Sequence, residues 1–453
     1  MSNSTHEEIL AALRGDNPPG KVRVAIADLD GVLRGKFMHR KKFLSALDGG
    51  FGFCNVVFGW DSADVCYDHV DYTGWHTGYP DAEVRLAPET ARRVPWQDDV
   101  PFYLGDFVTA DGDPLPICPR QVLKKQIARS RAGGFEPMFG IEFEWFNFQE
   151  TPESLANKNH VNPTPLTPGM FGYSILRSSL NHEFFSALMD DLDAFGVPLE
   201  GLHTETGPGV YEAAIAVDGA LEAADRAVLF KTGAKEIAYR FGIMPTFMAK
   251  WDASLPGCSG HMHQSLWGGG ANLFYDADDP LKMSPLFKHY LAGQLALLPD
   301  LLPFYAPTIN SYKRLVEGLW APTRVTWAVD NRTAALRVIP GSAKSTRLET
   351  RVSGSDINPY LSVAAALASG LYGIEHKLEL QEPVVGNAYA VKDAVRLPGD
   401  LREAAQRMSD SAIARELFGD AFIDHFATTR LWEWRQYQQA VTQWELQRYF
   451  EII

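Results

Sequence analysis

The chemistry-bearing residues of this chain fall in pairs. In the run GIEFEWF, Glu142 and Glu144 are two residues apart, so on a strand both carboxylates share one face while Ile141 and Phe143 share the other. Two like charges held side by side call for a cation. The same device recurs in SGHMHQS, with His261 and His263, and in RLETRV, with Glu349 and Arg351. Three strands that each set paired polar residues among apolar ones point to one shared cavity. A fourth segment, LEGLHTETGPGVYEAAI, adds Glu200, Glu205 and Glu212, and Gly207, Pro208 and Gly209 let the chain turn between the last two carboxylates. A donor set of carboxylates with one histidine favours Mg²⁺ or Mn²⁺ over zinc, which prefers cysteine and histidine in closed tetrahedral sites.

Positive charge arrives in one C-terminal block: Lys313, Arg314, Arg324, Arg332, Arg337, Lys344, Arg347 and Arg351. Arg337, Arg347 and Arg351 alternate with apolar residues, as strand residues facing a cavity do. Carboxylate-held divalent ions facing an arginine-rich wall are what phosphoryl transfer from a nucleotide requires, because the transferring group must be neutralised from both sides. A competing motif lies near the start. ADLDGVL resembles the nucleophile loop of haloacid-dehalogenase phosphatases, with Asp28 as nucleophile and Asp30 as acid or base. It runs straight into RGK, and the same letters serve a hairpin turn. GVLRGK is one residue short of a phosphate loop, and no Ser or Thr follows Lys36.

These residues need a scaffold, and 453 residues with 46% hydrophobic content can bury one or two large cores, which excludes whole-chain disorder. A formal charge of -14 argues against binding nucleic acid through massed phosphate contacts. Four scattered cysteines give neither a disulfide framework nor a thiolate zinc site, so reduced cytoplasmic thiols are expected. The greasiest stretch, LAGQLALLPDLLPFYAP, is broken by Pro299, Asp300 and Pro303, and no membrane span or export signal is expected. KVRVAIADLDGVLRGKFM reads as two strands around a turn at Asp30-Gly31, and the proline-punctuated Asp111 to Arg120 marks a boundary between a small β-rich unit and a larger α+β one. Helices are expected from QVLKKQIARSR, from NHEFFSALMDDLDAF, from Asp218 (as cap) to Tyr239, and from Pro359. Strands are expected at TFMAKW, TAALRVI and TRLETRV. The C-terminal stretch repeats Trp434, Tyr437, Val441 and Trp444, as a packing helix would.

Taken together, GIEFEWF, LEGLHTETGPGVYE, TFMAKW, GCSGHMHQSLW, NSYKRLV, DNRTAALRV and RLETRVSGSDINPYL resemble glutamine synthetase in order and spacing. The resemblance implies a β-grasp N-terminal domain over residues 1–110 and a catalytic domain over 111–453, its curved antiparallel sheet forming a funnel. It further implies a homododecamer of two hexameric rings with sites between neighbouring subunits, and ATP with two or more Mg²⁺ or Mn²⁺ ions. Carried over by position, Glu144, Glu205 and Glu212 resemble the ligands of one metal, and Glu142, His261 and Glu349 those of the metal nearer the nucleotide phosphates. Glu200, His263, Ser265, Lys344 and Arg347 match ATP-contacting positions, and Arg332 and Arg337 match the arginines that bridge phosphate and reaction centre. Arg314 and Arg351 match residues gripping glutamate, with Gly257 and Glu144 beside it. Arg332 and Arg351 match the groups stabilising the transition state.

The departures lie at the ammonia end. Where the family has a flap glutamate six residues after the arginine of NSYKRL, this chain has Trp320. An indole removes a cation site and adds an apolar wall. The DGSS signature is missing, and VVFGWDSADVCYDH offers Asp61 or Asp64 instead. Pro256 replaces an asparagine beside Gly257. With the ATP and glutamate ends retained, the chain resembles the γ-glutamylamide synthetases, which join glutamate to an organic amine. Phe51 to Trp75 is rich in aromatics, which suits an alkylamine or aniline, and in aspartates, which suit a polyamine or ethanolamine-type cation. A true glutamine synthetase and an inactive structural relative are the alternatives. Tyr389, in GNAYAVKD, occupies the place of the family's adenylylated tyrosine in a different context, and is expected to stay unmodified.

Overall fold

The computed structural model describes residues 2–453, and two sheets organise it. The first has six strands: β1 (Lys21–Ala27), β2 (Leu33–His39), β3 (Phe51–Cys54), β4 (Asp81–Leu86), β5 (Arg92–Val94) and β6 (Val100–Val108). Their order is β2-β1-β6-β4-β3, with β5 also on β6. β1 and β2 form an antiparallel hairpin in which Ala27 faces Leu33. Between them Asp28 Oδ1 accepts hydrogen bonds from the backbone N–H groups of Asp30 and Val32, and Gly31 takes φ 75°. Asp28 therefore builds the turn, as an Asx-type residue does. Its Oδ2 is paired with Arg34 at 2.9 Å, and β2 follows the turn directly, where a phosphatase nucleophile loop would need a helix.

The second sheet has ten strands and curls into a half-barrel. They are β7 (Glu136–Phe148), β8 (Leu199–Thr204), β9 (Val210–Ile215), β10 (Asp218–Gly219), β11 (Met244–Thr246), β12 (Met262–Gly268), β13 (Ala271–Asn272), β14 (Trp327–Val329), β15 (Leu336–Ile339) and β16 (Arg347–Thr350). The main path runs β14-β15-β16-β12-β7-β9-β8. Every pairing on it is antiparallel except β14 with β15, which run parallel at the edge. Helices cover the convex side, chiefly Pro119–Ala132, Ala220–Tyr239, Pro285–Leu297 and Pro359–Glu375. The last of these buries nearly its whole surface, consistent with its apolar, alanine-rich composition.

Three expectations are corrected. Asp218 does not cap the helix that follows: it sits in β10 opposite Phe139, Gly219 takes the cap position, and Asp218 Oδ2 instead pairs with Arg226 at 2.7 Å. Of TFMAKW, only Thr246 is in a strand, and the backbone N–H and carbonyl of Lys250 are bonded to the Asn310 side chain rather than to a ladder. The C-terminal apolar repeat is no continuous packing helix. The helix Asp420–Gln439 stops, a second (Gln443–Tyr449) starts behind a Thr442/Glu445 capping box, and Val441 and Trp444 are exposed.

Candidate active site

β7 delivers the first pair of carboxylates. Its alternation is clean, with Ile141 and Phe143 fully buried and Glu142 and Glu144 half-buried on the concave face. β12 lies on one side of β7, and β16 lies beyond it, so Glu142 on β7, His261 immediately before β12 and Glu349 on β16 converge from neighbouring strands distant in the chain. His261 Nδ1 is 3.6 Å from Glu142 Oε2 and 3.5 Å from Glu349 Oε1. One ligand atom from each of the three lies within 4.8 Å of the others. β9 lies on the other side of β7, with Glu212 opposite Glu144 and, on β8, His203 opposite Glu212. There a second group forms from His203, Glu205 and Glu212.

The second group differs from the expected trio. Glu144 stands outside it, its Oε2 accepting a hydrogen bond from the Ser259 N–H at 2.7 Å. His203 takes a place the sequence reading missed, although the LHTE spacing on a strand ending in the Gly-Pro-Gly turn was visible. Tyr173 was missed too. It lies stacked on the His203 ring at 4.5 Å in the left-handed region (φ 55°), and burial together with Glu205 pushes its phenol up to about 12.

The electrostatics of the second group fit a divalent cation. Burial, with Glu144, Glu142 and Glu205 nearby, pushes Glu212 up to about 9, so three neighbouring carboxylates lack the charge that would keep all of them ionised. His261 is buried with its Nε2 unpartnered. Oxygen donors with one imidazole per group are the chemistry of Mg²⁺ or Mn²⁺. Glu349 is the contrary case. Against its burial, His261 and Arg351 followed by Arg337 hold its carboxyl down to about 2.

Next to Glu142 opens a cavity of about 330 Å³, and Glu200, His263, Ser265, Lys344 and Arg347, all expected at the nucleotide, line it together. Arg347 Nε donates to His263 Nδ1 at 3.1 Å, and His263 Nε2 is 3.0 Å from Glu142 Oε1. Arg337 Nη1 donates to Glu349 Oε2 at 2.9 Å and its Nη2 pairs with Asp330 at 2.5 Å. Arg351 Nη1 is paired with Glu349 Oε1, and its Nε donates to the Arg332 carbonyl at 3.2 Å. The Arg332 side chain is exposed. Arg314 is buried, donating through Nη1 to the Val352 carbonyl at 2.9 Å. Gly257 packs on it so closely that an added Cβ would lie 2.7 Å from Arg314 Cγ and 2.4 Å from the Ala249 carbonyl oxygen.

A model of the glutamine synthetase catalytic domain matches residues 116–449. The chain belongs to the glutamine synthetase family. It is 57% identical to the type-1 glutamine synthetase 2 of Dictyostelium discoideum over 95% of this chain and 84% of that one. It is 38% identical to a glutamate–isopropylamine ligase of a Pseudomonas species, over 95% of both chains. Among solved structures, an ADP complex of GmaS superposes with a TM-score of 0.84 at 27% identity, covering 95% of this chain and 96% of the other.

None of the residues expected at the amine lines the cavity beside Glu142. Trp320 is 58% exposed at φ 61°, on the loop leaving the short helix that ends at Arg314. The carboxylate of that loop, Glu317, is taken up by Lys392 at 2.9 Å and Arg324 at 3.7 Å. Asp61 and Asp64 sit beyond β3. Asp61 Oδ1 accepts from the Ala63 and Val65 N–H groups, and Asp64 pairs with Arg34 at 2.8 Å. Among the described residues no helix is long and apolar enough to cross a membrane.

Proposed function

We propose that this member of the glutamine synthetase family is an ATP-dependent ligase joining the γ-carboxylate of L-glutamate to an organic primary amine. The observation that carries the reading is Trp320, an exposed indole on the loop next to Arg314, with the loop's own carboxylate already engaged by Lys392 and Arg324. Without a free carboxylate there, ammonium has no partner to hold it or accept its proton, whereas a carbon-bearing amine gains apolar surface. The 38% identity to a glutamate–isopropylamine ligase supports an alkylamine.

In this reading a γ-carboxylate oxygen attacks the terminal phosphorus of ATP and ADP leaves. The amine nitrogen then attacks the γ-glutamyl carbon, a proton is lost from nitrogen, and phosphate departs. The cavity beside Glu142 takes the nucleotide, with Lys344 and Arg347 on its phosphates. Divalent ions held by Glu142, His261 and Glu349, and by Glu205 and Glu212 with Glu144 or His203, would supply neutralisation of phosphate charge. Arg314 holds a carboxylate of glutamate, with the Gly257 backbone at its amino end. Arg337 and Arg332 balance charge between phosphate and acyl carbon, and Arg351 and Arg332 stabilise the tetrahedral intermediate. The division into residues 1–110 and 111–453, the homododecamer of two hexameric rings and a cytoplasmic setting complete the proposal. In such rings Asp61 and Asp64 would face the site of an adjacent copy.

The second reading, glutamine synthesis from ammonia, is favoured by the 57% identity to a protein described as a glutamine synthetase. The test is ADP release with ATP, glutamate and a panel of ammonia, isopropylamine, ethanolamine, aniline and putrescine. Saturable release with an organic amine, well above that with ammonia, supports the ligase. Ammonia as the best nucleophile overturns it.

A further inference from the structure

Arg314, Arg324, Arg337, Arg347 and Arg351 each donate through the guanidinium to an acceptor of this chain, whereas Arg332 is exposed and its guanidinium makes no hydrogen bond or ion pair among the described residues. A long exposed side chain keeps most of its rotamer freedom, so where its charge arrives is set by the backbone from which it starts. That backbone is held on both flanks. On one side Asn331 donates through Nδ2 to the Gly386 carbonyl at 2.6 Å, and on the other Thr333 Oγ1 accepts the Ala388 N–H at 2.9 Å. The two flanks are also bonded to each other, the Thr333 hydroxyl donating to Asn331 Oδ1 at 2.7 Å and the Thr333 N–H to the same oxygen at 2.9 Å. The carbonyl of Arg332 itself accepts from Arg351 Nε.

The segment that supplies these bonds is anchored in turn. The Val384 N–H donates to the Trp327 carbonyl at 2.9 Å, and Trp327 Nε1 donates to the Gln381 carbonyl at 2.8 Å. Ala388 is buried and packs with Ala328 and Ala334. Residues 381–388 are thus fastened to β14, the edge strand of the large sheet, and reach the turn of Arg332 from there. Thr333 is the joint between the two, because its one hydroxyl both donates to Asn331 and accepts from Ala388.

We propose that Thr333 is a positioning residue for Arg332, its hydroxyl fixing the turn from which the Arg332 guanidinium meets the charge that develops between phosphate and acyl carbon. This role rests on the reading above, in which Arg332 balances that charge. Thr333 acts only through the backbone and through Arg332. A charge already aimed at the transition state needs no ordering at the moment of reaction, so loosening the turn lowers kcat. ATP and glutamate are held by other side chains, and their binding stays.

The experiment is a double-mutant cycle read by ADP release with whichever nucleophile of the panel is fastest, so it is independent of whether that is an organic amine or ammonia. Thr333→Val keeps the shape and removes both hydroxyl bonds, Thr333→Ser keeps the hydroxyl, and Asn331→Ala releases the other flank. We expect kcat to fall about tenfold or more in Thr333→Val and in Asn331→Ala, with the KM for ATP and for glutamate within about threefold, and to recover to within about threefold of wild type in Thr333→Ser. In an Arg332→Ala background Thr333→Val should cost less than about twofold more, because its effect runs through the missing guanidinium. Asn331→Ala, measured in the same two backgrounds, decides in its place if Thr333→Val does not fold. Wild-type kcat in Thr333→Val, an undiminished loss in the Arg332→Ala background, or Thr333→Ser as slow as Thr333→Val overturns the role. Wild-type kcat in Arg332→Ala alone is a different failure: it removes Arg332 from the reaction, and the role of Thr333 falls with it.

Discussion

Arg337 and Glu349 face each other directly across β15 and β16, and the guanidinium closes the pair with a 2.9 Å hydrogen bond. Glu349 is thus shared between Arg337, Arg351 and His261, and its charge holds the two arginines together.

Glu349→Gln keeps the shape and removes that charge. We expect kcat to fall at least about a hundredfold, since a charge-assisted hydrogen bond contributes roughly 1.5–3 kcal/mol and two are lost. The fold should survive, because Gln still accepts. Steady-state kinetics across Mg²⁺ concentrations, paired with circular dichroism, checks it; near wild-type kcat at limiting Mg²⁺ would remove Glu349 from the centre.

Arg314 offers the test of the glutamate end. Its burial and its tether to the Val352 carbonyl fix the guanidinium, so Arg314→Ala should raise the glutamate KM roughly ten- to a hundredfold while the ATP KM stays within about twofold. Gly257→Ala should act in the same direction, because the new Cβ displaces Arg314. A shifted ATP KM with glutamate unaffected contradicts the assignment.

His425 sets a pH window for stability. Its folded value is depressed to about 4 by burial, below an unfolded value near 6.5, so the unfolded chain binds the proton more readily between the two. The contribution is intact above about pH 6.5 and is lost as pH falls toward 4, amounting to roughly 2 kcal/mol at pH 5. Denaturant titrations at pH 7 and pH 5 should therefore converge by about that amount in His425→Phe relative to wild type. Equal pH dependence in the two would contradict it.

Tyr389 should not be adenylylated. Its hydroxyl oxygen is buried, and the surrounding turn is tied by Asn331 Nδ2 to the Gly386 carbonyl at 2.6 Å and by the Ala388 N–H to Thr333. Intact-mass spectrometry of protein from its natural host should find no adenylyl adduct at Tyr389.

Strand-borne chemistry was the part legible in the sequence. Period-two spacing announced Glu142 with Glu144, and the family spacing placed His263, Ser265, Lys344 and Arg347 where one cavity now gathers them. What escaped depends on contacts distant in the chain. Glu144 accepts from the Ser259 N–H, a bond no local pattern encodes, and His203 comes beside Glu205 and Glu212 through its register opposite Glu212. Tyr173 reaches His203 only because a left-handed loop residue turns it there. At the C-terminus the apolar period was read correctly as helical, but a capping box at Thr442 interrupts the helix and leaves Trp444 outside the core.

The most direct measurement is the ratio of kcat/KM for isopropylamine to that for ammonia, in wild type and in Trp320→Ala. Covering two or three carbon groups with the indole contributes about 0.8 kcal/mol each, so the ratio should fall roughly ten- to sixtyfold on removing it, with ATP and glutamate KM held. Trp320→Glu should lower it further by restoring a cation partner. A wild-type enzyme that uses ammonia as well as isopropylamine, with a ratio unchanged in Trp320→Ala, would contradict the account and assign the chain to glutamine synthesis.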